Sequence, residues 1–298
     1  MLSQRLQKYL PWVPWLFVLL WSTGFIGAKY ALPYSQAFTF LSWRMLGNLA
    51  VFAGLIWYFN THWPKDPKLW IQQGIAGLCI HGAYLGGVFS AIELGTPAGL
   101  TALLVGLQPL VTAICIALAY WRWPHPLQML GLVLGFVGVA LVLSGGQIQD
   151  LNLVQLQGDQ FAWILLALLG ISLGTLYQKY FCQPQPLLTA SFIQYAATLS
   201  VFLPLAYFYE DTQVIWHPEF ILALAWSVIV LSVGAILLLM LMIQAGEATK
   251  TASYFYLVPP LTALEAWYLF DEALALAGVF GMLLAILGVY LTNKATIK

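Results

Sequence analysis

Long apolar runs, broken only by short polar or proline-containing stretches, dominate the chain. They lie near 12–32, 36–59, 70–93, 98–120, 125–145, 160–181, 187–208, 218–244, 248–269 and 274–292, each close to the roughly 20 residues a helix needs to cross a bilayer. The breaks carry turn signals: Pro33, Pro64-Lys65-Asp66-Pro67, Gly95-Thr96-Pro97, Pro124-His125-Pro126, Gly145-Gly146 and Pro184-Gln185-Pro186. The pattern predicts an all-α membrane protein with ten transmembrane helices and no room for a soluble domain between them. Arg5 and Lys8 ahead of the first run imitate a secretory signal, but the run from Trp12 to Leu32 is long enough to span and reads as a retained first helix.

Composition agrees. Only 7% of the residues are charged and 61% are hydrophobic, against about 25% charged in a soluble domain, so lipid must be the solvent. Eleven basic and eleven acidic residues cancel, which removes the basic patch that nucleic acid would need. Cys79, Cys115 and Cys182 are widely spaced and form no Cys-x-x-Cys, so neither a disulfide framework nor a zinc site is expected. No Walker A, His-Glu-x-x-His or Gly-x-Gly-x-x-Gly segment occurs, and no cofactor is expected.

Charge position sets the orientation. With the N-terminus in the cytoplasm, nine of the eleven basic residues fall on the inner side, leaving Lys29 and Arg44. Acidic residues such as Glu93, Glu210, Glu219, Asp271 and Glu272 then fall at outer ends or loops. Both termini are expected in the cytoplasm, and the protein in a bacterial inner membrane as a multi-pass monomer or homodimer.

Sliding the chain by 150 residues superposes Ser22 on Ser172, Gly24 on Gly174, Lys29 on Lys179, Thr101 on Thr251, Pro109 on Pro259, Gly131 on Gly281 and Gly138 on Gly288. A constant offset across five helices marks two repeats, 1–148 and 149–298. Because five is odd, the second enters the membrane from the opposite face. Inverted repeats let each half adopt the other's conformation around a central midplane cavity, the architecture of an alternating-access carrier.

The runs Trp21-Ser22-Thr23-Gly24-Phe25 to Lys29, Gly106-Leu107-Gln108-Pro109-Leu110 and Tyr256-Leu257-Val258-Pro259-Pro260-Leu261-Thr262-Ala263 resemble the EamA-type branch of the drug/metabolite transporter superfamily. The resemblance covers essentially the whole chain. It implies ten helices around a central cavity and the export of amino acids or related metabolites. Family members often carry Gly-Glu after the fourth helix of each half; here the second half has Asp271-Glu272 and the first Trp121-Arg122.

Polar residues inside the spans are the candidate site. A charge near the bilayer centre costs about 2.5–3.5 kcal/mol on the lowest scale. Arg44, roughly 12 Å deep in the second span, and Glu265, roughly 9 Å deep in the ninth, share a depth. With Lys29 and Glu93 nearer the same surface, they could form a structural ion-pair cluster or a gating network. His81 sits near the midplane with Tyr84 one turn on; a neutral imidazole there either bonds a neighbouring helix or faces substrate. Thr101, Leu104, Gln108 and Thr112 form one helical stripe, and Thr251, Tyr254, Val258, Thr262 and Glu265 form its counterpart. Both stripes are assigned to the cavity. Ser22 on the first span, with Trp163 and Tyr177 on the sixth, are further cavity candidates, although a small polar residue can equally serve packing and a tryptophan can anchor at the interface. Pro109, Pro259 and Pro260 interrupt the fourth and ninth spans at matching points, as hinges or as static kinks. Gly131 with Gly135 could serve packing or a dimer.

Gly170-Ile171-Ser172-Leu173-Gly174 matches the nucleophile-elbow pattern of hydrolases, but that pattern works only on a strand-to-helix turn with acid and histidine partners. Here it lies within a span. The reading that emerges is export of amino acids or similar small metabolites, by a protein that is not an enzyme. Import or exchange of a phosphorylated or nucleotide-linked solute, or a membrane enzyme or lipid flippase, are the alternatives.

Overall fold

The computed structural model describes residues 12–96, 101, 104–120, 123–143, 157–245, 251, 253–258, 260–261, 264–265 and 276–294. Their regular structure is helical apart from one isolated β-bridge, Ser35 to Val214. The helices are α1 (Val13–Ala31), α2 (Ala37–Tyr58), α3 (Pro67–Glu93), α4 (Gln108–Tyr120), α5 (Pro126–Leu143), α6 (Gly158–Tyr180), α7 (Leu187–Tyr209), α8 (Pro218–Ile243), α9 (described at 251, 253–258, 260–261 and 264–265) and α10 (Leu276–Lys294). Among the described residues, five of these (α2, α3, α6, α7 and α8) are long and apolar enough to cross a membrane; shorter apolar stretches lie in α1, α4, α5 and α10.

Helix starts follow local chemistry. Asp66 accepts from the Lys68 amide ahead of α3, with Pro67 at the first helical position, where a missing N–H costs nothing. Gln157 and Gln160 form a reciprocal capping box at the start of α6. Pro186 precedes α7 and Pro218 opens α8.

Two helices are not α-helical throughout. Leu78–Ala83 in α3 and Ser227–Ala235 in α8 are π-helical, at positions related by the repeat. Such turns displace backbone groups from their usual partners, and in lipid each must be satisfied within the protein. One helix does this for both: the Thr198 hydroxyl donates to the Gly77 carbonyl at 3.1 Å, and the Tyr195 hydroxyl donates to the Ser232 carbonyl at 3.2 Å. Both come from α7.

The fourth and ninth spans are broken at matching points. Gly106 and Leu107 form a turn, with the Leu107 amide reaching back three residues to Leu104 at 3.2 Å, and α4 resumes at Gln108 just before Pro109. The 3-10 turn Tyr254–Leu257 covers the positions that the repeat relates to Gly106 and Leu107. Pro259 and Thr262 lie outside the described residues, as do Trp121-Arg122 and Asp271-Glu272.

Packing runs across the repeats: α1 on α8, α2 on α7, α3 on α6 and α5 on α10. Small residues allow it. A Cβ at Gly131 would stand 2.6 Å from the Gly288 carbonyl, and one at Gly138 would stand 2.5 Å from the Gly281 carbonyl, so α5 and α10 touch backbone to backbone. Gly131 is therefore used within the chain, as is Gly135, which meets the Tyr256 ring. In the hydrolase-like stretch, Gly170 and Gly174 pack against Cys79 in the π-helical part of α3, and Ser172 is buried mid-helix.

At one end of the bundle the 1–2 and 7–8 linkers are joined. The Ile215 amide donates to Tyr34 at 3.0 Å, the Tyr34 hydroxyl donates to Glu219 at 2.7 Å, and the Tyr34 and His217 rings stack at 4.8 Å. At the other end the Gln183 amide donates to the Gln72 side chain at 3.3 Å, and the Gln185 side chain donates to the Leu69 carbonyl at 3.4 Å.

Candidate substrate cavity

A cavity of about 50 Å³ lies where α1, α2, α3 and α8 meet. Its wall is mainly apolar and aromatic. Trp21 from α1 stacks on Tyr84 from α3, with centroids 6.2 Å apart and planes 18° apart, and Phe89, Leu231 and Ile236 complete that side. Arg44 and His81 reach it as well, beside the Tyr84 hydroxyl.

His81 stands in the π-helical stretch of α3. Its Nε2 lies 3.1 Å from Gln194 Oε1, while Gln194 Nε2 donates to Gln73 Oε1 at 2.7 Å. Because the Gln194 oxygen accepts, His81 Nε2 carries the hydrogen and the ring is held in that tautomer. The His81 ring also lies 4.8 Å from that of Tyr195. The chain His81, Gln194, Gln73 is fully buried and leads to a second cavity of about 90 Å³, bordered by Gln73, Gln178, Lys179, Cys182 and Gln183 near the end where α6 stops. Polar side chains thus connect the central cavity to one end of the bundle. Beside this end, burial pushes the Cys182 thiol up to about 11, so it stays protonated at neutral pH.

Arg44, 5% exposed, comes from α2. Its Nε and Nη2 donate to the Ser232 hydroxyl of α8 at 3.4 and 3.3 Å, at the long end of hydrogen bonding. Its electrostatic neighbours are the hydroxyls of Tyr195 and Tyr84.

Of the charge network expected of Arg44, Glu265, Lys29 and Glu93, the three members whose side chains are described each have other partners. Glu265 instead accepts the Ser22 hydroxyl at 2.6 Å and borders an apolar groove of about 620 Å³ beside α1 and α8. Glu93 accepts the Ala37 amide at 3.2 Å, at the start of α2. That helix start is held chiefly by Glu210, which accepts from the Phe38 and Thr39 amides and the Thr39 hydroxyl at 2.7, 2.7 and 2.6 Å. Free amides at a helix N-terminus are strong partners for a carboxylate. Of Lys29 only the backbone is described. At the linker end His217 Nδ1 lies 3.9 Å from a Glu219 carboxylate oxygen and accepts the Glu219 amide at 3.4 Å.

Arg44, His81 and Tyr84 therefore share one cavity, and the other described candidates are not among its described lining. Thr101 and Gln108 are buried on the broken fourth span, and Tyr254 is half-buried in the 3-10 turn of the ninth. Trp163 packs on Phe38 at 5.9 Å, and Tyr177 stacks on Phe181 at 5.4 Å. Ser22 serves Glu265. Trp21, Gln194, Gln73 and Ser232 were not anticipated. Gln194 had a visible signal, since it is the repeat mate of Arg44; Ser232 had none.

The family model of EamA-like transporters matches the sequence twice, over residues 11–144 and 160–294. The chain belongs to the EamA-like transporter family. Two EamA repeats thus account for almost all of it. An uncharacterized transporter, YvbV of Bacillus subtilis, is 27% identical over 285 residues, covering 93% of this chain and 88% of that one. An uncharacterized transporter of Archaeoglobus fulgidus is 25% identical over 289 residues, covering 93% and 95%. A solved crystal structure superposes with a TM-score of 0.76 at 19% identity, covering 96% of this chain and 98% of that one, and this shows the fold. The EamA chain is a multi-pass membrane transporter.

Proposed function

We propose that this EamA protein exports amino acids or related small organic metabolites across a bacterial inner membrane by alternating access, with its two repeats inverted about the central cavity. The observation that carries the reading is the composition of the cavity wall. It draws α1, α2 and α3 from one repeat and α8 from the other, so any rocking of one repeat against the other changes it. At about 50 Å³ it is far smaller than the roughly 300 Å³ or more that a metabolite-sized ligand fills. The conformation described is accordingly one contracted around the site, and loading requires the repeats to part. The π-helical stretches of α3 and α8 and the paired breaks before Pro109 and Pro260 supply places where they can bend.

Exchange of a nucleotide-linked or phosphorylated solute is the weaker reading, because Arg44 is the one cation at the cavity wall among the described residues. The test is counterflow in proteoliposomes loaded with a panel of amino acids and organic acids. Solute-specific accumulation of label that is absent from protein-free vesicles is expected. Turnover of a substrate without net movement would instead mark an enzyme.

A further inference from the structure

Arg44 holds a full charge while buried within a span, and among the described residues one hydroxyl is its only hydrogen-bond partner. A guanidinium presents five N–H donors in a rigid fork. Two are used, and both end on one hydroxyl at 3.3 and 3.4 Å. That hydroxyl gives its own hydrogen to the Ser227 carbonyl at 3.0 Å, so Ser232 meets the cation with lone pairs alone. Among the described residues no carboxylate pairs with Arg44: Glu265 is turned to Ser22 and Glu93 to the start of α2. His81 Nε2 is turned away to Gln194. A buried cation without a counter-charge is costly, and membrane proteins place such groups against a cavity when a ligand completes them.

We infer that Arg44 binds the carboxylate of the transported solute, and that the cavity selects a singly charged carboxylic acid on an aromatic or branched apolar body. This rests on the transport reading above and names its substrate class. The fork of the guanidinium matches two carboxylate oxygens. The rest of the described wall, with Trp21 stacked on Tyr84 and Phe89, Leu231 and Ile236 beside them, offers area to an apolar body and no further cation. A phosphate dianion or a nucleotide would bring charges that this wall leaves unpaired.

The full chain in detergent or nanodiscs is assayed for binding of labelled 3-phenylpropionate, with 3-phenylpropionamide and phenyl phosphate as competitors. The carboxylate should bind saturably and the amide and phosphate at least about tenfold more weakly, as expected for loss of one charge-assisted contact. Arg44→Gln should bring carboxylate and amide to within about threefold of each other. Arg44→Lys, which keeps the charge without the fork, should bind the carboxylate more weakly than the native chain while keeping a preference over the amide. Equal binding of carboxylate and amide by the native chain, no binding of either, or native preference in Arg44→Gln would overturn the assignment. Counterflow in proteoliposomes separates the two readings. Flux of both carboxylate and amide without preference leaves transport standing and removes the role of Arg44. Arg44-dependent binding with no flux removes transport and keeps the anion site.

Discussion

Arg44 and Gln194 stand at equivalent positions in the two repeats, and each reaches across to the π-helical stretch of the other: Arg44 to Ser232 in α8 at 3.3 Å, and Gln194 to His81 in α3 at 3.1 Å. Two helices related by the repeat therefore make like contacts with different chemistry. On one side the contact is a cation with a weak partner. On the other it is a neutral amide whose oxygen and nitrogen are both engaged. The geometry is symmetric and the electrostatics are not, which gives the cavity one charged wall.

The neutral side should behave as a coupled unit. Gln194→Leu leaves Gln73 and His81 without their partners, and a buried group so orphaned costs about 1–3 kcal/mol. Gln73→Leu should also be destabilising, but the double variant should cost clearly less than the sum, as shared partners require. Denaturant or thermal unfolding in detergent measures this. Additive losses would mean that the 2.7 Å contact contributes nothing to stability.

Arg44 and Glu265 should behave oppositely, since they share no partner. The stability changes of Arg44→Gln and Glu265→Gln are expected to add within about 0.5 kcal/mol. A coupling above about 1 kcal/mol would show that the two charges interact after all.

The α5–α10 contact tolerates no side chain. A methyl at Gly288 would stand 2.5 Å from both the Gly131 carbonyl and the Gly135 amide, so Gly288→Ala should force the helices apart and cost about 1–3 kcal/mol. Val133→Leu, on the exposed face of α5, should change stability by less than about 0.5 kcal/mol. Equal tolerance at both positions in a thermal-shift comparison would contradict the packing.

At the linker end, the hydrogen bond to Glu219 raises the Tyr34 hydroxyl above its ordinary value of 10.0, with desolvation and the carboxylate charge adding to it. A raised folded-state value means that the contribution is present below pH 10 and is lost as the pH rises through the raised value. Tyr34 should therefore titrate later than the exposed tyrosines in an NMR titration of ring-labelled protein, and Glu219→Gln should return it towards them. An unchanged Tyr34 curve in that variant would show that the latch is not formed in solution.

Much of this molecule is legible in the chain. The apolar runs locate the helices, and the offset of 150 residues locates the repeats, because helix length and repeat spacing are written in composition alone. Arg44, His81 and Tyr84 are visible as polar groups at mid-span and do share a cavity. Gln108 and Tyr254, assigned to the cavity from their stripes, are not among the described residues that line it. With the fourth span turning at Gly106 and Leu107 and the ninth at Tyr254–Leu257, the face implied by a regular period is not kept. The π-helical stretches leave no trace in residue type, since an extra residue per turn shifts the apolar pattern by less than its own irregularity. The partners of Arg44 and Glu265 are 188 and 243 residues away, beyond any local rule.

The central claim is that the cavity opens to each side of the membrane in turn. Ala28, buried on its α1 wall, is replaced by cysteine in a chain whose Cys79, Cys115 and Cys182 are changed to alanine. A membrane-impermeant thiol reagent is then added to right-side-out and to inside-out vesicles. Labelling of Ala28→Cys from both sides, with none at Val133→Cys, is the result expected of alternating access. Labelling from one side alone, whatever solute is present, would contradict it.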